Sequence, residues 1–353
     1  MGARSCEFPR MTPAIFGLAG HALSAEERAF FRDCDPAGYI IFGRNVADRS
    51  QLRALTDSLR EIHGRDKLLI TVDQEGGRVA RLKPPQWPAW PAGEAFDELY
   101  DLAPASAIEA ARANAEAMGQ DLAEVGITCT HAPVLDVRQP GAHDVIGDRA
   151  YGQEPLRVAA LGRAVLDGLA RAGIAGTVKH MPGHGRTTTD THLELPTVTA
   201  SKEELEIDLA PFRALNSAPI AMTGHLLFTA WDREHPATQS PFVIGEVIRK
   251  RIGFDGLLLT DDLDMEALSG TVPERAERSI AAGCDIALNC WAKMDDMIGI
   301  AHRLPVMSEK TASRLARALE GIRLDGARCD QAALIAKRDG LLALTAQGAE
   351  GKA

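Results

Sequence analysis

No apolar stretch in the 353 residues approaches the roughly 20 that a membrane-spanning helix needs. Nor is there an excess of positive charge: 39 Lys and Arg against 49 Asp and Glu leave a formal net charge of -10. Nucleic acid and anionic membrane surfaces both demand a basic surplus, so neither is expected as a partner. The six cysteines (Cys6, Cys34, Cys129, Cys284, Cys290, Cys329) contain no CxxC pair, and a chain of this length needs no disulfide framework. They read as reduced, mostly buried thiols. The N-terminus has two arginines ahead of an apolar run, but Pro9 and Pro13 interrupt it and 14–19 is too short for a signal-peptide core, so the run reads as a first strand. A cytoplasmic location follows as the simplest expectation. No GxGxxG follows that strand, which weakens a dinucleotide-binding reading.

What is present is an apolar content of 45%, ample for a large core, and one stretch around which the rest is organised: GTVKHMPGHGRTTTDTHLELP, 176–196. It opens as a short strand, turns polar at Lys179 and His180, and breaks on Pro182, Gly183 and Gly185, which suit neither helix nor strand interiors. A mobile loop is expected there. On it Asp190 and His192 stand two apart; in extended chain that spacing points both side chains to one side, where a carboxylate can hold an imidazole for proton transfer.

Strand-like and helix-like patterns alternate along the rest of the chain. The apolar runs fall at 14–20, 38–45, 68–77, 127–137, 176–183, 219–228, 256–265 and 284–290. Helical patterns follow most of them, and two more fill 308–322 and 330–345. The Pro/Trp-rich 84–93 reads as a rigid loop within one unit. Eight such units favour a parallel (β/α)8 TIM-type barrel in a single domain spanning 1–353, with C-terminal helices at about 305–345. Strands three to seven each end on Asp, His, Lys or Arg, at the face where barrel enzymes place their chemistry.

Three carboxylates in TDDLDM (Asp261, Asp262, Asp264) stop the seventh run. One alone could cap the next helix, but at least one of the three is expected to face the pocket, where a carboxylate opposite a proton donor can cleave an acetal. Position alone does not choose Asp261 over Asp262. His180 and His184 are four apart, but Pro182 and Gly183 remove the helical facing that a metal pair would use. His131 and His225 read as hydrogen-bonded residues of the barrel mouth. Arg78, Arg81 and Arg149 lie in loops at the same face.

Four stretches, VDQEGGRVARL, VIGDRAYGQEP, VKHMPGHGRTTTDTH and LLLTDDLDM, occur in this order. Together they resemble glycoside hydrolase family 3, specifically its bacterial β-N-acetylglucosaminidases of NagZ type, over about 15–291. The KH(F/M)PGHG…DxH element is the most specific part, because relatives that lack its histidine use a glutamate from a second domain. The resemblance implies that Asp261 is the nucleophile, His192 the acid/base and Asp190 its partner. It further implies that Asp73, Arg81, Arg149, Lys179 and His180 grip an N-acetylglucosamine residue, with no metal or other cofactor. Met181 stands where phenylalanine is common, and Arg186 where many relatives carry a small or acidic residue.

The expected activity is retaining removal of terminal β-linked N-acetylglucosamine from 1,6-anhydro-N-acetylmuramic acid fragments of peptidoglycan, by a monomer. A phosphorylase, a metal-dependent barrel hydrolase and a catalytically dead sugar-binding protein are the rival expectations. Phosphate dependence would mark the first and chelator sensitivity the second. The presence of Asp261, Asp190 and His192 argues against the third.

Overall fold

The computed structural model describes residues 11–187, 195–323 and 330–346. Ten strands occur among them: β1 (Thr12–Gly17), β2 (Pro36–Ile41), β3 (Leu69–Val72), β4 (Cys129–Thr130), β5 (Ala175–Met181), β6 (Thr197–Val198), β7 (Ile220–Thr223), β8 (Leu227–Phe228), β9 (Leu257–Asp262) and β10 (Ile286–Asn289). Eight close a parallel barrel in the order β1-β10-β9-β7-β5-β4-β3-β2, while β6 and β8 pair only with each other. The expected (β/α)8 barrel is therefore the fold.

Strand periodicity divides the core in two. Ile15, Ile40, Leu69, Leu257, Leu259, Ile286 and Leu288 fill the barrel interior. Their neighbours Phe16, Ile41, Ile70, Leu258 and Ala287 pack outward under the helices, as side chains alternating across each strand require. The helices are α1 (Ala25–Cys34), α2 (Arg49–His63), α3 (Gly93–Leu102), α4 (Pro104–Glu124), α5 (Pro155–Arg171), α6 (Glu206–Ala214), α7 (Val272–Ala282), α8 (Met294–Arg303), α9 (Glu309–Glu320) and α10 (Gln331–Leu342), with a π-helix at Val243–Ile252 between β8 and β9. Side-chain caps set the starts of the first two: Ser24 and Glu27 form a capping box on α1 and Asp48 caps α2, each cap contributing about 1 kcal/mol.

One end of the barrel is shut. Leu315 and Ala318 of α9 join the interior cluster of Ile15, Ala37 and Leu257. Arg314 ties that helix to Asp285, just ahead of β10, at 3.0 Å. Asp285 also binds Arg249 at 2.7 Å and accepts the Leu258 N–H at 2.9 Å. These contacts close the end where strands begin and leave the carboxyl ends open.

Several sequence expectations change in detail. The fourth run, 127–137, is regular only at Cys129–Thr130, because Pro133 has no N–H for a ladder. The run at 219–228 splits into β7 and β8. Helices α3 and α8 were not expected. The four described cysteines, Cys34, Cys129, Cys284 and Cys290, are free thiols.

Candidate active site

A cavity of about 170 Å³ opens at the carboxyl ends of the strands. Asp73, Arg81, Arg149, Lys179, His180 and Asp261 all line it, together with Glu75, Asp262, His184 and an apolar rim that includes Phe42, Ile146 and Met265. The six expected residues that fall on described positions are thus brought together from β3, β5, β9 and two loops. Asp190 and His192 lie outside the described residues.

Two acids at the end of β3 organise the cations. Asp73 binds Arg81 at 2.9 Å and faces Lys179 at 3.6 Å. Glu75 receives two hydrogen bonds of 2.8 Å from Arg149 and a third contact of 2.6 Å from Lys179. Burial acts to raise both carboxyl pKa values, but the adjoining charges outweigh it. Lys179, His131 and Arg81 hold Asp73 far below the carboxylate range, and Arg149 and Lys179 hold Glu75 at about 2. The pocket therefore offers fixed, ionised hydrogen-bonding groups of both signs, which suits a neutral polyol.

Loop chemistry aims these groups. Gln74 is fully buried; its Oε1 accepts the N–H groups of Arg81 and Leu82 at 2.8 and 3.0 Å, folding the 74–82 loop back on β3. Gly76 has φ +110°, and a Cβ there would lie 2.0 Å from the Pro91 carbonyl oxygen, so no other residue fits the QEGG turn. Arg78 does not line the cavity: it binds Asp148 at 2.8 Å and the Val145 carbonyl at 3.2 Å, holding the loop that carries Arg149.

The adjacent acids of β9 differ sharply. Burial acts to raise the Asp261 pKa, yet His180, His225, the Asp262 N–H and Lys179 together bring it below the ordinary value. The Asp262 N–H donates to Asp261 Oδ1 at 2.8 Å. Asp262 is pushed well above its ordinary value by burial and by the neighbouring Asp264 carboxylate. Asp264 Oδ2 itself accepts from Asn289, Cys290 and Trp291 at 2.8, 3.0 and 3.2 Å, closing the turn after β10. A carboxyl group lowered below its ordinary value beside one raised above it separates two residues that position alone left equal.

The histidines also sort themselves. His225 is hydrogen-bonded as expected, to Thr238 at 2.8 Å and the Asp262 carbonyl at 2.9 Å. His131 departs from expectation: it is fully buried, and neither ring nitrogen has a partner among the described residues. Burial lowers its pKa to about 4, so it is neutral at neutral pH. His180 and His184 do approach, with ring centroids 5.4 Å apart and edge-on, but the contact comes from a turn closed by Asp136 and not from a helix. Asp136 lies in the apolar HAPVLDV run and did not stand out; a lone carboxylate amid apolar residues was its signal. Among the described residues no cluster of three or more His, Cys, Asp or Glu side chains is arranged to hold a metal ion.

A (β/α)8 barrel whose open mouth carries a small pocket walled by acids, arginines and a lysine has the architecture of a barrel glycoside hydrolase. The Glycosyl hydrolase family 3 N terminal domain matches residues 11–320, and the chain belongs to that family. It is 41% identical over 285 residues to a beta-hexosaminidase of Alkalilimnicola ehrlichii, covering 79% of this chain and 80% of that one. A beta-hexosaminidase of Tolumonas auensis is 40% identical over 286 residues, with 79% and 83% covered. Among solved structures, NagZ from Neisseria gonorrhoeae in complex with N-trifluoroacetyl-D-glucosamine superposes with a TM-score of 0.86 at 31% identity, over 94% of this chain and 98% of that one. A family 3 beta-N-acetylglucosaminidase from Paenibacillus matches with a TM-score of 0.79 at 33% identity, over 93% of this chain and 61% of that one.

Proposed function

We propose that the protein is a retaining exo-β-N-acetylglucosaminidase that removes terminal β-linked N-acetylglucosamine from 1,6-anhydro-N-acetylmuramic acid fragments of peptidoglycan in the cytoplasm. The observation that carries this reading is Asp261: a carboxylate held below its ordinary pKa in a small pocket at the barrel mouth, beside an Asp262 that is pushed above its own. The small volume of the pocket supports exo-cleavage, in which a terminal residue enters and the remainder of the substrate lies across the rim. Acetamido recognition is supported by the beta-hexosaminidase relatives and by the N-acyl glucosamine bound to the Neisseria neighbour.

In this mechanism Asp73, Arg81, Arg149, Lys179 and His180 hold the sugar. Asp261 attacks the anomeric carbon as the glycosidic bond breaks, forming a glycosyl ester, while His192 protonates the departing oxygen. Asp190 favours the imidazolium of His192 in that step. The same histidine, now neutral, takes a proton from water, which releases the sugar and restores Asp261. The histidine supplies the acid without adding negative charge at the site.

Turnover of an aryl β-N-acetylglucosaminide beside the matching β-glucoside, with and without phosphate, tests this. Hydrolysis of the first alone, unchanged by phosphate and by chelators, is the expected result. Equal rates on the two sugars overturn acetamido recognition, and turnover that requires phosphate makes the enzyme a phosphorylase.

A further inference from the structure

We infer that Asp136 is a positioning residue for this reaction, fixing the tautomer and aim of His180 and tying it to the turn that follows β5. The inference rests on reading the pocket as a sugar site. Asp136 is completely buried just beyond β4 and does not line the cavity. Its two oxygens receive three hydrogens: Oδ2 faces His180 Nδ1 at 2.7 Å, and Oδ1 accepts the backbone N–H groups of His180 at 3.1 Å and His184 at 2.7 Å.

This arrangement leaves no freedom in the imidazole. Burial alone would raise the Asp136 pKa, but His180 and His184 and their hydrogen bonds hold it at about 2. The group is therefore an acceptor throughout the working range, and only a protonated Nδ1 can face it at 2.7 Å. His180 lines the cavity, and with Nδ1 committed to Asp136 its Nε2 is the ring nitrogen left to meet a sugar hydroxyl. His184 cannot substitute for His180. Burial and the neighbouring His180 lower its pKa to about 4, and its Nδ1 lies 3.1 Å from the Thr187 hydroxyl.

Asparagine cannot reproduce this role. An amide has one acceptor oxygen and one donor nitrogen, so whichever way it turns, its NH2 group meets either the two backbone N–H groups or the imidazole N–H. Asp136→Asn should free His180 to rotate or change tautomer while removing no atom that touches the substrate. A displaced contact of this kind costs roughly 10²-fold in rate.

The wild-type protein with 15N-labelled histidine gives the first test. A His180 resonance, identified by its loss in His180→Ala, should show a protonated Nδ1 whose proton exchanges slowly; an unprotonated Nδ1 overturns the inference even if no Asp136 variant folds. The second test is a double-mutant cycle read in kcat/KM on an aryl β-N-acetylglucosaminide and in affinity for free N-acetylglucosamine. Asp136→Asn should lose about 10²-fold in kcat/KM, and Asp136→Asn/His180→Ala should lose no more than His180→Ala alone. Losses that multiply would show that Asp136 acts on stability and not through His180. Should wild-type protein fail to bind N-acetylglucosamine, the sugar reading falls. Should it bind, and Asp136→Asn bind and turn over equally well, the positioning role alone falls.

Discussion

Arg149 holds Glu75 through two parallel hydrogen bonds, Nε to Oε2 and Nη2 to Oε1, both 2.8 Å long. The pair is almost entirely buried, and Lys179 completes it at 2.6 Å. Glu75 thus stands behind two of the residues proposed to grip the sugar. Glu75→Gln leaves both cations buried against a neutral amide, and breaking a buried pair from one side costs about 3–5 kcal/mol. The expected outcome is a folded but less stable enzyme with kcat/KM reduced by roughly 10², mostly through KM. A normal KM in a destabilised variant would assign Glu75 to folding alone.

The contrast between Asp261 and Asp262 gives the second prediction. Asp261→Ala should lower kcat by about 10⁴ or more, because no other carboxylate can form the covalent intermediate. Asp262→Asn should be far milder, since Asp262 is already pushed toward its neutral form by burial and by Asp264. A fluorinated sugar that traps the intermediate should label Asp261, as read by peptide mass spectrometry. Label on Asp262 reverses the assignment. No adduct, together with strong inhibition by a thiazoline, makes the substrate's acetamido group the nucleophile.

The barrel was legible because its rule is local. Ile15 and Phe16, or Leu257 and Leu258, face opposite sides simply by adjacency, and Asp73, Lys179 and Asp261 stand where apolar runs stop. Partnership between distant residues was not legible. Glu75 and Asp73 look equivalent in DQEGG, and only the return of the loop carrying Arg149 distinguishes them. Asp136 carries no mark of its role in the sequence, since its partners lie 44 and 48 residues away. Helix α3 was hidden between a proline-rich loop and Pro104, and α8 carries two acids in its first turn and little else to mark it.

Acid should unfold the protein through buried acids held ionised. Glu75 and Asp136 both titrate at about 2 in the native state, from ordinary values of 4.5 and 3.8. Depressed folded values mean that their stabilisation is complete above about pH 4.5 and is lost as pH falls toward 2, by about 2–3 kcal/mol for each. Asp208, beside Arg186 at 2.6 Å, runs the other way. Burial raises it to about 6, so its contribution is present below about pH 4 and lost as pH rises through 6. The buried imidazoles of His131 and His184, lowered from 6.5 to about 4, act in the opposite sense and add stability as pH rises through that window. Urea midpoints should therefore rise steeply from pH 2 to about pH 5. Asp208→Asn should steepen the profile between about pH 4 and 6, and an unchanged slope there means that Asp208 does not titrate in that range.

The proton carrier can be separated from every other role by its leaving group. His192 is proposed to protonate the departing oxygen, so its removal should harm substrates in proportion to how poorly that oxygen leaves unaided. With a natural sugar alkoxide as leaving group, His192→Ala should lose roughly 10²–10⁴ in kcat/KM. A dinitrophenyl glycoside needs no proton, and its first step should stay near the wild-type rate. Its steady-state turnover should still fall, because the second step needs the same histidine as a base, and a pre-steady-state burst of dinitrophenolate should expose the difference. Asp190→Asn, by removing the charge that favours the imidazolium, should move the basic limb of the kcat/KM profile to lower pH. Equal losses on activated and unactivated substrates in His192→Ala would mean that the acid is another residue at this mouth.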